Sequence, residues 1–591
     1  MTNLHHFHIP VMGVGFTVDT PIKVAHLGIT SVMSIGDDLL CERMRAYYAE
    51  KTGKPFQPIP NSEEDARAKR ITAYLNLVQE LVNDRFDALK SEAVHEHSEL
   101  NKYFELLPET SALKKEFFKL KEGDYLPDSI KSAMRPGEIE VNVMTKLDRQ
   151  HYDKEGNPLA REYNDAHAAL RGYANSNLTS GIVLSAGLNP SLYSYTAQFN
   201  RFFPNATNQL NKKIILKVSD YRSALVQGKF LAKKGIWVSE YRIESGLNCG
   251  GHTFATEGLL AGPIMAEFKA HRHELVHEVH AVLTEALERL QKPVPDSPLP
   301  LSITYQGGVG THREHDFIRT HYGMDSIGWA TPFLLVPEVV NVDEDTQNVL
   351  VNAGENELYL SSISPIGVPF NTVKGNSKDL IKETKIKAGD PGSTCPRQYL
   401  KLFNTEFTKQ PICLSSKQYQ TLKIRELDEQ NLSKEAYQQA YDRITEKACL
   451  CTGLVVTAYM AHDLVTKPDG QGVSVCPGPN LAYFSKISTL SEMVDHIYGR
   501  TDLLNATPRP NFFMKELRMY IDVFQRELNQ ANPTPKIIKR LMQFKENLIA
   551  GITYYQHLFA TGFIDQEALS TLKNSLQIIR ESEIPTPAAQ A

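Results

Sequence analysis

Short apolar runs, separated by stretches with helical spacing, recur eight times along the first 340 residues. The runs cover residues 11–14, 31–35, 141–146, 181–189, 214–220, 236–243, 301–306 and 326–333. Apolar runs of this length that alternate with helices are typical of parallel strands joined by crossover helices. Eight such units predict an α/β fold of the (β/α)8 TIM-barrel type, whose active site lies at the carboxyl ends of the strands.

Two additions enlarge the predicted barrel of residues 1–340. Helical spacing in Ile71 to Lys90 and Leu113 to Phe118 predicts a helical insertion within residues 36–140, after strand two. Residues 341–500 form a cysteine-rich region, and 501–591 form mostly helices and a loose tail. Two apolar stripes in that last part predict a packed helical pair rather than a partner-binding face. The stripes are Phe513, Leu517, Ile521, Phe524 and Leu528, and Ile537, Leu541, Phe544, Leu548 and Ile552.

Composition excludes several classes of protein. The net charge of −5 gives no overall attraction to nucleic acid, although it does not exclude a local basic patch. No apolar run approaches the roughly 18 residues of a membrane span, and residues 1–10 lack the apolar core of a signal peptide. We therefore expect a cytoplasmic protein with no membrane or nucleic-acid partner, while its oligomeric state stays open.

The segment Glu244-Ser-Gly-Leu-Asn-Cys-Gly-Gly-His252 follows the sixth apolar run. Its glycines let the backbone approach a flat ligand and permit the turn that aims His252 across it. An imidazole that titrates near neutrality suits proton transfer at such a site. Cys249 beside it could donate a proton, act as a nucleophile or be an inert small residue. The alternative for His252 is a hydrogen-bonded structural histidine.

Small residues also follow the last two runs. Gln306-Gly-Gly-Val-Gly-Thr311 opens a helix, and Gly328-Trp-Ala-Thr-Pro-Phe333 follows the eighth run. In a barrel these two loops and a helix N-terminus can form a phosphate cradle of backbone N–H groups. The alternative is a tight turn with no ligand. The loop lacks the lysine-serine pair of a Walker motif, which argues against a nucleoside triphosphate.

Four segments in this order resemble the FMN-dependent nitronate monooxygenases and the related flavin enoyl-acyl-carrier-protein reductases. They are Pro10-Val-Met-Gly-Val-Gly15, Asn248-Cys-Gly-Gly-His252, Gly307-Gly308 and Ala330-Thr-Pro-Phe333, and the resemblance spans roughly residues 8–340. It implies FMN, with His252 as the catalytic acid or base, and we add Cys249 and Lys217 as further catalytic candidates. The cofactor-binding residues that it implies are Gly13, Gly15, Lys217, Gly308, Gly310, Ala330 and Thr331. Further cofactor-binding candidates are Lys146, Asn189, Gly307 and Thr311.

Within that resemblance, Gly13 and Gly15 would line the isoalloxazine ring and Lys217 would face its pyrimidine edge. An ammonium at that edge stabilises reduced flavin. The alternative for Lys217 is a barrel-interior ion pair with Asp220 or Glu240, and Lys146 competes for the flavin-facing role. The chain departs from the family by continuing some 250 residues beyond the barrel and by placing Cys249 where alanine is usual.

Five of the seven cysteines fall within 82 residues: Cys395, Cys413, Cys449, Cys451 and Cys476. Iron–sulfur clusters use four cysteine ligands with variable spacing, often with proline after a ligand. Zinc fits less well because its Cys-x₂₋₄-Cys pairs are missing, and unligated thiols are the third possibility. For a cluster we expect Cys449, Cys451 and Cys476 as ligands, with Cys395 or Cys413 as the fourth.

These features predict an FMN-dependent oxidoreductase that moves a hydride between flavin and a small organic or acyl substrate, with an iron–sulfur relay and a possible electron-donor protein. The first alternative is a nitronate monooxygenase-like oxidase that uses oxygen and has structural cysteines. The second is a zinc hydrolase, because His273-Glu-Leu-Val-His277 matches a zinc-protease motif in which Glu274 would activate water. However, this segment falls in the helix after strand six, outside the barrel, with Leu275, Val276, Val279 and Val282 as its packing face.

Overall fold

The computed structural model describes residues 4–145, 147–248, 257–467, 469–529, 534–560 and 566–584. An eight-stranded parallel sheet forms its centre, with neighbours in the order β1-β8-β7-β6-β5-β4-β3-β2. The strands are β1 Phe7–His8, β2 Ser31–Ser34, β3 Ile139–Val143, β4 Ser180–Leu184, β5 Lys212–Val218, β6 Val238–Glu244, β7 Ser302–Gln306 and β8 Ser326–Gly328. A parallel bridge between Ile9 and Ser31 joins the first strand to the second. The predicted (β/α)8 barrel is therefore confirmed.

The first strand begins earlier than the sequence pattern predicts. The structure has β1 at Phe7–His8, so the prediction of a strand over residues 11–14 was wrong. Pro10 has no N–H to donate to a strand ladder, and Gly13 turns the chain with a φ of +117°. The seven later runs each overlap an observed strand. Residues 11–14 therefore belong to the loop that β1 delivers to the barrel mouth.

Helices surround the barrel and fill the predicted insertion. Those up to β8 are α1 Thr20–Val24, α2 Asp38–Thr52, α3 Ala66–Ser91, α4 Glu99–Glu105, α5 Ala112–Phe117, α6 Asp128–Ala133, α7 Asp165–Asn175, α8 Pro190–Thr196, α9 Tyr221–Ala232, α10 Ala261–Arg289 and α11 His312–Tyr322. Two of them, α3 and α5, confirm the helices expected between strands two and three. The long helix α3 packs on both α2 and α7, which ties the insertion to the barrel.

The barrel interior contains an apolar layer and a charged layer. Val32, Val183 and Ile215 pack together inside it. The Arg242 guanidinium lies 2.9 Å from Glu140 and 2.7 Å from Glu240, all within the barrel wall. A buried guanidinium needs such partners because an unpaired charge in the interior is strongly unfavourable. The interior is thus filled by side chains, and ligand space is confined to the mouth.

The chain beyond the barrel is mostly helical. Its elements are α12 Glu344–Val351, β9 Leu358–Ser361, β10 Phe370–Val373, α13 Ser377–Lys387, α14 Lys417–Asp428, α15 Lys434–Thr445, α16 Leu450–Gly453, α17 Val456–Ala461, α18 Leu490–Ile497, α19 Phe512–Leu528, α20 Pro535–Leu558 and α21 Gln566–Glu581. The predicted stripes lie on α19 and α20, which pack with the Phe524 and Phe544 rings 5.5 Å apart. No single helix among the described residues is long and apolar enough to cross a membrane, although the bent pair Lys434–Thr445 and Leu450–Ala461 passes by length and composition.

A buried ion pair joins the cysteine-rich region to the barrel. Nη1 of Arg397 lies 2.7 Å from both carboxylate oxygens of Asp37, the residue that caps α2 just after β2. Nη2 of the same guanidinium donates to the Tyr459 hydroxyl at 2.7 Å. The two charged side chains are only 4% and 1% exposed. This contact fixes residues 395–399 against the barrel mouth.

Loss of this ion pair should destabilise the protein strongly. We expect Arg397→Ala to lower the free energy of unfolding by about 3 to 5 kcal/mol, because it leaves the Asp37 carboxylate buried without its partner. Urea unfolding followed by circular dichroism measures the change. Lys119→Ala is the matched control, since it removes an exposed ion pair with Glu116 and should have little effect. A loss below about 1 kcal/mol for Arg397→Ala would contradict the assigned role of the pair.

Candidate active site at the barrel mouth

Polar side chains from three adjacent strands meet at the carboxyl end of the barrel. Nζ of Lys217, on β5, lies 3.0 Å from Oε1 of Glu244, the last residue of β6. The same oxygen accepts a hydrogen bond from Nε2 of Gln306, the last residue of β7, at 2.8 Å. It also accepts from Nδ2 of Asn248. Three donors thus hold one carboxylate at the position where barrel enzymes carry their reacting groups.

The ion pair of Lys217 has a different partner from the one expected. The alternative role of Lys217 named Asp220 or Glu240 as the partner, but Asp220 caps α9 by accepting from the Ser223 amide at 2.6 Å, and Glu240 pairs with Arg242. Sequence reasoning missed Glu244 as a functional candidate. The available signal was the spacing of two between Glu240, Arg242 and Glu244, because alternate residues of a barrel strand point to the same side.

Three predicted residues lie outside the described ranges. Cys249 and His252 fall in 249–256, and Lys146 is also outside. Their predicted roles stay predictions. The structure does describe the residues immediately before and after 249–256.

A buried carboxylate on the C-terminal helix α19 holds both of these flanks. Oε1 of Glu516 accepts from the Ser245 hydroxyl at 2.6 Å, directly after β6. Oε2 accepts from the backbone N–H of Ala261, the first residue of α10, at 2.8 Å. Burial raises the pKa of Glu516 from its ordinary value of 4.5 to about 7. One titratable group therefore joins the end of β6 to the start of α10.

The glycine loop after β7 is already occupied by protein side chains. The Gly310 N–H donates to Oε2 of Glu314 at 2.9 Å. Arg509 bonds to the other oxygen of Glu314 at 2.7 Å and donates to the Gly308 carbonyl at 2.8 Å. A Cβ on Gly310 would lie 2.8 Å from Nε of Arg509. The small residues here make room for a guanidinium from the chain itself.

The neighbouring residues of the predicted phosphate cradle also have structural partners. The Thr311 hydroxyl caps α11 by accepting from the Glu314 amide at 3.2 Å. The Thr331 hydroxyl accepts from the Gly478 amide at 3.2 Å, and the Ala330 carbonyl accepts from the Phe333 amide at 3.0 Å. Gly307 has a φ of +128°, and a Cβ there would lie 2.8 Å from Cβ of Ser245. These contacts match the tight-turn alternative.

The loop after β1 contacts the C-terminal region. The Gly15 N–H donates to the Leu454 carbonyl at 2.8 Å, and a Cβ on Gly15 would lie 2.7 Å from the Val455 carbonyl oxygen. Close approach of two backbones explains this glycine without a ligand. A Cβ on Gly13 would collide with its own neighbour Phe16 at 2.8 Å. Asn189 caps α8 and donates to the Thr145 carbonyl at 2.8 Å.

A largely apolar cavity opens beside this loop, at the carboxyl ends of β1, β2 and β3. Its volume is about 650 Å³, including its open mouth. The walls come from the β1 loop, the ends of β2 and β3, helices α3 and α7, and the cysteine-rich region. The lining residues are Val14, Gly36, Asp37, Arg67, Val143, Met144, Leu147, Asp165, Ala166, Ala169, Tyr399, Leu400, Leu450, Cys451, Leu454 and Val455. Most of this volume is open solvent, and the enclosed part of the cavity is about 60 Å³.

The five clustered cysteines lie close together in the protein interior, next to the cavity. Cys395, Cys413 and Cys476 belong to a single apolar cluster against which Cys451 packs. The Cys451 thiol lowers the pKa of Cys449 by hydrogen bonding, helped by the Lys378 ammonium. The Cys395 thiol lowers the pKa of Cys413 in the same way. None of the described cysteines forms a disulfide.

Across the described ranges, no group of three or more His, Cys, Asp or Glu side chains is arranged to hold a metal ion. The His273–His277 motif lies on α10, where both histidines and Glu274 are exposed. Leu275 and Val279 are buried, and Val276 and Val282 are half-buried against the core, so the predicted packing face is confirmed. The motif therefore lies on the outer surface of the barrel and away from its mouth.

No protein-family profile and no curated protein matches the sequence. Among solved structures, the chain is similar to a nitroalkane oxidase from Streptomyces ansochromogenes. The identity is 10%, the match covers 84% of this chain and 94% of that one, and the TM-score is 0.33. A likeness this distant carries no argument about function, which depends on the site itself.

The raised pKa of Glu516 predicts a specific pH dependence of stability. The native state binds a proton at Glu516 more readily than the unfolded chain does, so its contribution to stability should fall as the pH rises from about 4.5 to about 7. The fall should amount to about 3 kcal/mol. Unfolding free energies of the native protein and Glu516→Gln, measured at several pH values, give this contribution as their difference. The exposed Glu546→Gln on α20 is the control, and a flat difference curve for Glu516→Gln would contradict the assignment.

Proposed function

We propose that this chain is a flavin-dependent oxidoreductase that transfers a hydride between flavin and a small organic or acyl substrate at the barrel mouth. The observation that carries the proposal is the convergence of Lys217, Glu244 and Gln306 at the carboxyl ends of three adjacent strands. An apolar cavity opens at the same end of the barrel.

The chain's own residues supply charge and orientation. A bound flavin supplies the hydride chemistry. The Lys217 ammonium would stabilise negative charge that develops beside it, because a fixed charge in a partly dry site needs no reorganisation during the reaction. Glu244 holds that ammonium in place, and Gln306 and Asn248 hold Glu244. In this proposal His252 moves the proton, and Cys249 lies three residues before it in sequence.

The loops after β7 and β8 do not fit the phosphate of FMN in their present arrangement. The Gly310 amide is bonded to Glu314, so a phosphate placed there would face a carboxylate. Arg509 neutralises Glu314, and its guanidinium donates hydrogen bonds to three different acceptors. The proposal therefore rests on the polar side chains of β5, β6 and β7. It does not place the flavin phosphate in the loops after β7 and β8.

Purified protein should show flavin absorbance bands, either as isolated or after reconstitution. Because the glycine loop is occupied, FMN and riboflavin should bind with similar affinity. Lys217→Met should lower the reduction potential of the bound flavin, since it removes a positive charge. Lys213→Met is the matched control, because Lys213 lies on the same strand but pairs with Glu138. No binding of FMN, FAD or riboflavin would reject the proposed function.

The finer proposal is that the clustered cysteines would hold an iron–sulfur cluster, which would supply single-electron transfer between a donor protein and the flavin. The thiols would have to move to do so, because the described side chains include no group of three or more arranged to hold a metal ion. The proposal is supported by two hydrogen-bonded thiol pairs, Cys395 with Cys413 and Cys449 with Cys451, whose charges act on one another. Thiolate ligands need partners that lower their pKa, as Lys378 does for Cys449. If the cysteines bind no metal, the alternative is an oxidase that uses oxygen and has structural thiols.

Protein purified without oxygen should contain iron and acid-labile sulfide and absorb broadly near ~400 nm. Cys451→Ser should lose the iron and keep the flavin. Cys41→Ser is the matched control, because Cys41 lies on α2 outside the cluster and should retain both. Flavin without iron in the native protein would favour the oxygen-using alternative, and full iron content in Cys451→Ser would remove that residue from the ligand set.

A further inference from the structure

The cavity at the ends of β1, β2 and β3 presents charged residues, and each of them already has a partner. Arg67 bonds to Asp38 at 2.6 Å and to the Gly36 carbonyl at 2.9 Å. Asp37 is held by the Arg397 guanidinium. A charged ligand would have to compete with these contacts.

The third charged wall residue is paired as well. Asp165 lies 3.1 Å from Arg149 and 2.7 Å from His151. The guanidinium groups of Arg67 and Arg149 lie 5.4 and 5.5 Å from the Tyr399 ring centre, so this ring is flanked by cations. Among the described residues, the charges lining the cavity therefore form a closed network, and each of these three side chains has a counter-charge within the protein.

The accessible part of the wall is mostly apolar, with Arg67, Tyr399 and Cys451 as its half-buried polar residues. Val14, Met144, Leu147 and Leu454 are half-buried, whereas the deeper Val143, Ala166, Ala169 and Leu450 are buried. Half-buried apolar side chains around a concave space gain free energy when a ligand removes their remaining surface from water. The wall therefore favours hydrocarbon over polar groups.

We propose that this cavity binds an uncharged aliphatic chain of a ligand. The site lies at the carboxyl ends of strands, where a barrel places its substrate. Only the description of that ligand as the substrate rests on the proposed function, since binding itself requires no flavin. We therefore expect this cavity to bind neutral aliphatic ligands in preference to small anions such as nitronates.

Affinity should follow chain length and head-group charge. In isothermal titration of the full-length protein with 1-butanol, 1-hexanol and 1-octanol, binding should tighten about fourfold per added methylene. Octanoate and 1-octylamine should bind at least about tenfold more weakly than 1-octanol, because a charged head must lose water without gaining a partner. Equal affinity for octanol and octanoate would overturn the assignment of an uncharged ligand.

A pair of leucine variants locates the binding site. Leu147→Trp should fill the cavity and weaken octanol binding at least about tenfold. Leu188→Trp makes the same change at a side chain that is 45% exposed and does not line the cavity, so it should bind octanol normally. Circular dichroism verifies that both variants are folded. Undiminished binding by folded Leu147→Trp, or no binding of any alkanol by the native protein, would overturn the proposed site.

The outcome is independent of the flavin experiment. Protein that binds alkanols in the cavity but takes up no flavin would retain this inference and reject the oxidoreductase proposal. Protein that binds flavin but no alkanol would reject this inference and retain the oxidoreductase proposal. If the ligand is the substrate of a flavin reaction, octanol should also slow turnover in competition with it, and Leu147→Trp should raise KM more than it lowers kcat.

Discussion

The buried ion pair between Arg397 and Asp37 is the contact on which the arrangement of the barrel mouth depends. Asp37 caps α2 at the end of β2, and Arg397 belongs to the cysteine-rich region, so one pair joins the barrel to its extension. Two buried charges are stable only when their geometry and remaining hydrogen bonds are satisfied. The Tyr459 hydroxyl and Asp469 complete the shell of Arg397. The cavity beside Asp37 exists because this network holds the two regions in one place.

The C-terminal part of the chain lines the barrel mouth at three further points. The Leu454 carbonyl accepts from the Gly15 amide, Arg509 fills the glycine loop after β7, and Glu516 holds both ends of the segment after β6. In each case a group from the extension forms a hydrogen bond with a polar group of the barrel that a ligand could otherwise use. Unpaired buried polar groups are costly, so these contacts are part of the fold and also limit what can bind. The extension thus decides which part of the mouth stays open.

Periodicity predicted the barrel strands well where the runs are long and buried, as in β5 and β6. It failed at β1, because a two-residue strand before Pro10 leaves little pattern and the apolar loop after it looks like a strand. The glycines after β7 predict a loop that holds a ligand phosphate. Their position was right, but the sequence could not reveal that Arg509, some 200 residues later, approaches them. Glu244 was similarly hidden, since its partners come from three separate segments.

By itself the sequence determined the alternation of strands and helices, the helical insertion, the two packed C-terminal stripes and the clustering of five cysteines. These are local properties, set by spacing along the chain and by the burial that each spacing allows. Only the tertiary structure decided that Lys217 pairs with Glu244, that Glu314 and Arg509 occupy the glycine loop, and that the open space lies at β1 to β3. Those outcomes depend on contacts between residues far apart in sequence, where competition among many possible partners is resolved by packing and charge in three dimensions.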